Sequence, residues 1–432
     1  MKVAIYTLGC KVNQYETQAM EQELARRGHE LVDFSDAADA YVINTCSVTA
    51  VSDQKSRQVI HRIQRRRPGA VVAVCGCYPQ THPEDVRALG VDLVAGTGDR
   101  AGFVTLLEET ASGRRGRTEA IDRALERRTF EILPAGGMES RTRAMLKIED
   151  GCVNFCSYCI IPYARGPVRS LPLDEAVRQA AALKEAGYRE IVLTGIEISS
   201  WGRDLPGEPP LIEAVEAVCQ AAPEVRIRLG SLEPRTITEA FCRRASALEN
   251  LCPQFHLSLQ SGCDATLRRM NRRYDTERYM QSVQLLEHWF DRPAVTTDLI
   301  VGFPQETEEE FAQTLAFVER CGFAQMHVFP YSVRPGTPAA KLPQVPPLIK
   351  EERARRAGAT AARLHQTYLE ACVGAVYPVL FEQPRGTRFF GHAPNYMEVA
   401  VEAAGEELHN RLRRVLVTGT DGERLLGTVQ ED

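Results

Sequence analysis

No stretch of about 18 consecutive apolar residues occurs in this chain, so nothing in it reads as a membrane-spanning helix. An excess of positive charge is also missing. The formal net charge is -5, which excludes global attraction to a nucleic acid and confines any such contact to local patches. The amino terminus lacks the pattern of a signal peptide: Met1-Lys2-Val3-Ala4-Ile5-Tyr6 enters a strand-like segment, and a cytoplasmic location is the expectation. An even cysteine count is absent too. Thirteen cysteines in a reducing compartment do not make a closed disulfide framework, and metal ligation is the better account of several of them. The bulk is ordinary: 432 residues, 44% hydrophobic and 25% charged, enough for two to four globular domains.

The run Gly151-Cys152-Val153-Asn154-Phe155-Cys156-Ser157-Tyr158-Cys159 holds three thiols in Cys-x3-Cys-x2-Cys spacing, and here the missing element is a fourth ligand. A zinc knuckle wants another Cys or His nearby, and Ile160-Ile161-Pro162-Tyr163-Ala164 offers none. A fully protein-bound 4Fe-4S cube takes four thiolates, so three leave one iron open to an external ligand, for which S-adenosylmethionine is the candidate. Tyr158 is placed to lie against an adenine.

From Lys2 to about Thr110, β-branched runs (Val3 to Leu8, Tyr41 to Asn44, Val71 to Val74, Leu93 to Val94) alternate with helical stretches, which predicts an open parallel α/β layer. One of these helices crowds Lys55, Arg57, His61, Arg62, Arg65, Arg66 and Arg67 around an apolar stripe of Val59, Ile60 and Ile63. That patch reads either as a solvated face or as a contact for an anionic partner. Residues 112–143 are arginine-rich with weak periodicity and read as a linker. Between 144 and 370, six strand-like runs (Met145 to Ile148, Ile191 to Thr194, Ile227 to Leu229, His256 to Leu259, Thr297 to Val301, His327 to Tyr331) separated by helices predict a partial (β/α)6 barrel with its chemistry at the strand carboxyl ends. The cysteine loop follows the first of these strands. Residues 371–432 turn short-stranded (Tyr377 to Phe381, Met397 to Val401, Val415 to Thr418, Leu425 to Val429) and predict a small β-barrel.

A second set of thiols is scattered in sequence but alike in position. Cys10 follows the first amino-terminal strand, Cys46 the second and Cys77 a later one. Strand carboxyl ends of an open parallel sheet share one edge, so the three are expected to meet. Cys75, two residues before Cys77, sits on the same side of an extended strand, and the turn that ends the strand decides between them; Cys77 is the favoured ligand.

The Cys-x3-Cys-x-Tyr-Cys loop on a six-unit barrel resembles the radical S-adenosylmethionine superfamily. The whole chain is similar to the methylthiotransferases. Thr7-Leu8-Gly9-Cys10-Lys11-Val12-Asn13-Gln14-Tyr15-Glu16, Gly76-Cys77-Tyr78-Pro79-Gln80 and Ile160-Ile161-Pro162-Tyr163-Ala164-Arg165-Gly166-Pro167-Val168-Arg169-Ser170 look most like the branch acting on threonylcarbamoyladenosine in tRNA. The resemblance implies an amino-terminal cluster domain (1–111), a linker (112–143), a radical barrel (144–370) and a TRAM domain (371–432). It implies two 4Fe-4S clusters: an auxiliary one on Cys10, Cys46 and Cys77, and a radical-generating one on Cys152, Cys156 and Cys159. One S-adenosylmethionine would methylate the sulfur, and a second would yield the radical that removes hydrogen from adenine C2. Thr194, Gly195 and Glu197, with Glu233, would receive the methionine amino group. Ser258, Gln260 and Asp298 would reach the ribose, and Val301, Gly302 and Phe303 would press on adenine. Implied partners are a tRNA anticodon stem-loop, an electron donor such as flavodoxin or ferredoxin, and a sulfur source. Isopentenyladenosine, a ribosomal-protein side chain, and a non-catalytic iron-sulfur RNA-binding or redox-sensing role are the alternatives.

Overall fold

The structure, a computed structural model, describes residues 1–137, 142–402 and 407–430. Six parallel strands open the chain: β1 (Lys2–Thr7), β2 (Glu30–Leu31), β3 (Ala40–Thr45), β4 (Val71–Gly76), β5 (Leu93–Ala95) and β6 (Thr118–Ala120), in the order β2-β1-β3-β4-β5-β6. The near-continuous apolar runs of β3, β4 and β5 follow from burial on both faces. Val3, Val42, Ala73 and Cys75 pack under Met20 and Leu24 of α1 (Lys11–Arg26) and under Phe103 and Leu107 of the helix Arg100–Ala111. Ala4, Tyr41, Ile43 and Val74 pack under Val59, Ile60 and Ile63 of α2 (Ala50–Arg66). Strand β6 lies within the segment read as a linker. It is a three-residue edge strand of Thr118, Glu119 and Ala120, largely exposed, with no apolar alternation to announce it. Residues 138–141 of that segment fall outside the described residues.

The central part is an arc in two parallel pieces. β7 (Arg143–Lys147), β10 (Glu190–Thr194) and β11 (Arg226–Leu229) run in the order β11-β10-β7, while β12 (Ser231–Leu232), β13 (Gln254–Leu257), β14 (Ala294–Val301) and β15 (Gln325–Pro330) run in chain order. A short ladder, β8 (Glu149–Asp150) with β9 (Arg169–Ser170), closes beside the mouth. The break falls at Gly230, whose N–H donates to the Leu193 carbonyl at 2.8 Å and where any Cβ would stand 2.9 Å from that oxygen. Six strand positions result, as the sequence predicted. Alternate residues divide sharply: Ala144, Leu146, Ile191, Leu193, Ile227, Leu229, Leu257 and Leu299 join the large core beneath the helices. Their neighbours Arg143, Lys147, Glu190, Arg228, His256 and Asp298 face the lumen, as the two-residue period of a strand requires.

The helix Pro347–Ala371 leads into a closed five-stranded barrel: β16 (Val376–Arg385), β17 (Arg388–His392), β18 (Glu398–Glu402), β19 (Leu412–Thr420) and β20 (Leu425–Val429), in the order β16-β17-β18-β20-β19. Four of these strands were expected. β17, Arg-Phe-Phe-Gly-His, was not, since its two adjacent phenylalanines break alternation across the register shift between Phe381 and Gln383. Residues 403–406 and 431–432 of this segment fall outside the described residues. Among the described residues no helix is long and apolar enough to cross a membrane.

The first two parts are joined by buried charge. Glu16 of α1 pairs with Arg100 at 2.8 Å, with Arg165, and with Lys147 at 3.7 Å, all of them about 1% exposed or less. Asp150 extends the cluster to Lys147 (3.3 Å), Arg165 (3.5 Å) and Arg169 (3.4 Å). A second tie runs from Arg334, beyond β15, to Asp53 of α2 at 2.7 Å and to the Ser47 carbonyl at 3.0 Å. Burial alone would raise the Glu16 carboxyl, but Arg100, Arg165 and Lys147 outweigh it and hold the group at about 2. Its contribution to stability is therefore complete above the ordinary carboxylate range and lost as pH falls through the folded value. Glu16→Gln leaves three cations under-neutralised and is expected to cost about 3–5 kcal/mol at pH 7. In urea unfolding the difference from wild type should shrink as pH falls from about 4.5 toward 2; a cost under about 1 kcal/mol at pH 7 would remove the network from this role.

Candidate functional site

Cys10, Cys46 and Cys77 end three adjacent strands, β1, β3 and β4, whose registers pair Thr7 with Asn44 and Thr45 with Gly76. Each thiol thus lies just beyond the sheet edge, on strands about 4.8 Å apart. Gly9, at φ +121°, lets the first loop close onto the second: a Cβ there would come within 2.9 Å of the Cys46 Cβ. Asn13 then ties the loops together, donating to the Leu8 carbonyl (3.0 Å) and the Thr45 carbonyl (2.8 Å). At Gly76 the backbone turns at φ +102°, where a side chain would strike the Thr45 carbonyl at 2.4 Å. That turn separates the two candidates of the third strand. Cys75 packs into the core with Val3 and Met20, whereas Cys77 opens the short helix α3 (Cys77–Thr81). Burial pushes the Cys77 thiol up to about 12 against the pull of Arg165, and the charges of Cys46 and Cys10 add to the rise.

The second trio occupies the loop after β8. Gly151 enters it at φ +90°, with a hypothetical Cβ 2.0 Å from the Pro167 carbonyl oxygen, so only glycine fits. The Cys152 N–H donates to the Gly166 carbonyl (3.0 Å), the Ser157 N–H to the Met270 carbonyl (3.0 Å) and the Cys159 N–H to the Cys156 carbonyl (2.9 Å). Asn271 holds the Phe155 carbonyl at 3.0 Å. Arg272 places Nη1 3.1 Å from the Cys156 sulfur while its plane lies 4.8 Å over the Tyr274 ring. Asn154, Cys156, Glu233, Arg235 and Arg272 line one small cleft. Burial pushes the Cys159 thiol up to about 12, with the Cys156 charge adding to it.

Thr194 ends β10 on the lumen side, buried. Gly195 leaves room for Glu149, whose Oε2 would be 2.7 Å from a Cβ there and accepts from the Glu197 N–H at 2.7 Å. Glu197 accepts from Ser200 (2.6 Å) and Asn154 (3.5 Å). Glu233 is already paired with Arg235 at 2.8 Å. The Ser258 carbonyl accepts from the Tyr274 hydroxyl. Gln260, at φ +67°, bridges to β14 through the Asp298 carbonyl (2.9 Å), and Asp298 Oδ2 stands 3.5 Å from His256 Nε2. Gly302 turns at φ +66° with its N–H on Glu306 at 2.6 Å. Two of the residues expected at the adenine have buried side chains. Val301 shares the parity of Leu299, so its side chain lies in the large core and not at the mouth; Ile300 takes the mouth side. Phe303 is fully buried between Tyr158 (6.4 Å) and Tyr331 (5.4 Å), where it braces Tyr158 and presents no open face.

The donor sets suit iron-sulfur groups. All thirteen cysteines are free. Thiols pushed up by burial stay neutral at pH 7 unless a metal takes the proton's place. Among the described residues no three His, Cys, Asp or Glu side chains converge tightly enough for a single ion; a four-iron cube sets each thiolate on a different iron and so asks for wider spacing. Arg165 faces the first trio and Arg272 the second, each compensating thiolate charge. Glu149 and Glu197, whose carboxyls burial lifts, each carry a buried oxygen without a partner at the barrel rim, which suits a cationic amine. Sequence reading missed Arg272, Glu149 and Arg334. Arg165, Glu16 and Asn13 lay in quoted motifs without a role.

Residues 2–96 match the description "Uncharacterized protein family UPF0004", and residues 146–318 match the radical SAM superfamily, which implies a 4Fe-4S cluster and S-adenosylmethionine. The chain is 39% identical over 422 residues to the threonylcarbamoyladenosine tRNA methylthiotransferase MtaB of Bacillus subtilis (strain 168), covering 96% of this chain and 93% of that one. It is 40% identical over 367 residues to the MtaB of Aquifex aeolicus (strain VF5), covering 82% and 86%. In fold it is similar to the radical S-adenosylmethionine methyltransferase TsrM from Kitasatospora setae, solved with cobalamin and a [4Fe-4S] cluster bound, at TM-score 0.58 and 16% identity over 78% of this chain and 77% of that one. With sequence likeness running nearly end to end, the chain belongs to the MtaB-like family of radical SAM methylthiotransferases.

Proposed function

We propose that this chain is a tRNA methylthiotransferase that adds a methylthio group to C2 of N6-threonylcarbamoyladenosine at position 37, beside the anticodon. The observation that carries this is the pairing of two three-thiol sets across one buried junction, with Glu16 and Arg165 between them. Cys152, Cys156 and Cys159 would hold the radical-generating cluster, and Cys10, Cys46 and Cys77 an auxiliary cluster used in sulfur delivery. When bound, the first cluster and S-adenosylmethionine supply one-electron cleavage of a sulfonium and hydrogen removal from the target carbon. The chain's own residues orient and enclose. Arg272 donates to the Cys156 sulfur, a contact that favours the reduced, more negative cluster. Glu149 and Glu197 offer carboxylate oxygens at the rim, and Tyr158, braced by Phe303, forms the apolar side of the mouth.

An RNA substrate suits the outer surface. Val153, Phe155 and Tyr163 are exposed around the barrel loop, as are Val48 and Val51 beside Cys46, and such side chains stack or pack on splayed bases. On α2, Lys55, His61, Arg62, Arg65 and Arg66 are exposed, a cationic strip for a phosphate backbone despite the net charge of -5. The closed carboxyl-terminal barrel would act as the TRAM domain, and domain bounds of 1–111, 112–143, 144–370 and 371–432 follow this reading. A cytoplasmic setting, an electron donor such as flavodoxin or ferredoxin and a separate sulfur source complete it.

Anaerobically reconstituted protein is expected to hold about eight irons per chain; about four would remove the auxiliary cluster. Cys156→Ala should abolish 5'-deoxyadenosine formation, whereas Cys46→Ala should retain cofactor cleavage and lose thiolation, and equal loss of both activities in Cys46→Ala would refute the division of labour. Mass spectrometry of tRNA nucleosides from cells lacking the gene tests the target: disappearance of the 2-methylthio derivative of threonylcarbamoyladenosine is expected. Its persistence, with loss of the isopentenyladenosine derivative, would move the enzyme to the other tRNA branch.

A further inference from the structure

Three parts of the chain meet around a cavity of about 460 Å³, lined by Lys11 and Gln14 of α1, Met145, Val192 and Arg228 of the barrel, and Tyr396 between β17 and β18. Its size falls in the range of small-molecule sites. Met145, Val192 and Arg228 share one register across β7, β10 and β11, two residues below Lys147 and Thr194 on the lumen face. The cavity therefore lies one layer beneath the strand ends, and Lys11 follows Cys10 directly.

Its charges do not balance. Glu190 is bonded by Arg143 (2.6 Å), Arg226 (2.6 Å) and Arg228 (2.9 Å), and Glu382 by Arg143 (2.8 Å) and His392 (2.6 Å). The Tyr396 ring lies under Arg228 at 4.5 Å and Arg143 at 5.1 Å and stacks on His392, so both guanidiniums are fixed. Lys11 adds a fourth cation against two carboxylates, and among the described residues it has no hydrogen bond or ion pair. Lys11 is solvent-exposed at the edge of the cavity and stands outside the network that fixes the guanidiniums. An anionic group delivered into the cavity would gain a charge-assisted contact there.

Given the proposed function, we infer that the cavity receives the carboxylate of the threonyl group on the target nucleoside and that Lys11 is the specificity-determining residue that reads it. The N6 substituent and C2 belong to one ring, so a base presenting C2 at the strand ends carries a charged arm long enough to enter the layer beneath. An isopentenyl arm has no charge to offer Lys11. A charge-assisted contact of this kind is worth about tenfold or more in affinity.

The test uses reconstituted holoenzyme and anticodon stem-loop RNAs carrying threonylcarbamoyladenosine either as the free acid or as its primary amide. Wild type should bind the acid about tenfold more tightly than the amide. Lys11→Gln should lose that preference by weakening on the acid alone, and Lys11→Arg should restore most of it. Equal binding of acid and amide by wild type, or a preference surviving in Lys11→Gln, overturns the assignment. Equal weakening on both RNAs in Lys11→Gln would instead mark a backbone-phosphate contact and overturn it too. Methylthiolation of the acid RNA by wild type is scored separately. Its absence refutes the functional reading, whereas turnover without acid preference refutes only the carboxylate assignment.

Discussion

One buried carboxylate ties the domain of the first thiol set to the barrel that carries the second. Glu16 sits almost wholly out of water between a helix of the first sheet and the mouth of the barrel, and it is the anion on which Arg100, Arg165 and Lys147 converge. Burying such charges costs several kcal/mol per ion, and a well-packed apolar contact would have joined the two parts at less expense. What ions supply instead is direction. Arg165 donates to Glu16 and to the Asn13 side chain at 3.1 Å, and Asn13 in turn spans the loops of Cys10 and Cys46. Arg169, four residues on, clamps the carbonyls of Arg165 and Pro167 at 2.9 and 2.8 Å, beside the Cys152 loop. One chain of donors thus links the geometry of one trio to that of the other, which a greasy interface free to slide would not do.

The same economy of topology assembles each trio. A parallel sheet brings all strand carboxyl ends to one edge; the first domain uses three adjacent strands to gather residues 10, 46 and 77, and the barrel uses one long loop. The Glu16 cluster joins the first edge to the barrel mouth, and the Arg334 tie to Asp53 and to the Ser47 carbonyl adds a second anchorage beside Cys46. Two anchorages at separate points fix an orientation that either alone would leave free to rotate.

What could be read from the sequence was whatever repeats locally. The strand-end positions of Cys10, Cys46 and Cys77, the three-thiol loop and the six barrel strands all announce themselves by period or spacing. Cys75 and Cys77 could not be told apart without the backbone turn at Gly76. The inward turn of the Val301 side chain follows from its strand parity with Leu299, which a motif read as a block does not show. Arg272 acts on the cysteine loop from more than a hundred residues away and Glu149 on the Glu197 backbone beyond β10, and no local pattern marks either. β6 and β17 escaped because one is too short and exposed and the other carries its apolar pair side by side.

The carboxyl-terminal barrel is not a loosely appended module. Arg226 donates to the carbonyls of Pro378 and His392 at 3.1 Å each, and Arg228 to that of Pro394 at 2.8 Å, while both bond Glu190. These arginines belong to a barrel strand, and an ordinary (β/α) barrel would fill that lumen with branched apolar side chains. Here guanidiniums from the amino-terminal part of β11 reach out of the lumen and bond the neighbouring domain. The arrangement follows from an incomplete barrel: six strands leave a lateral gap and an unfilled axis, and charge placed on that axis can serve as anchor below and as recognition above. Tyr396 is the point where the two uses meet, since the ring that holds Arg143 and Arg228 in place also forms the floor of the cavity beneath the thiol sets.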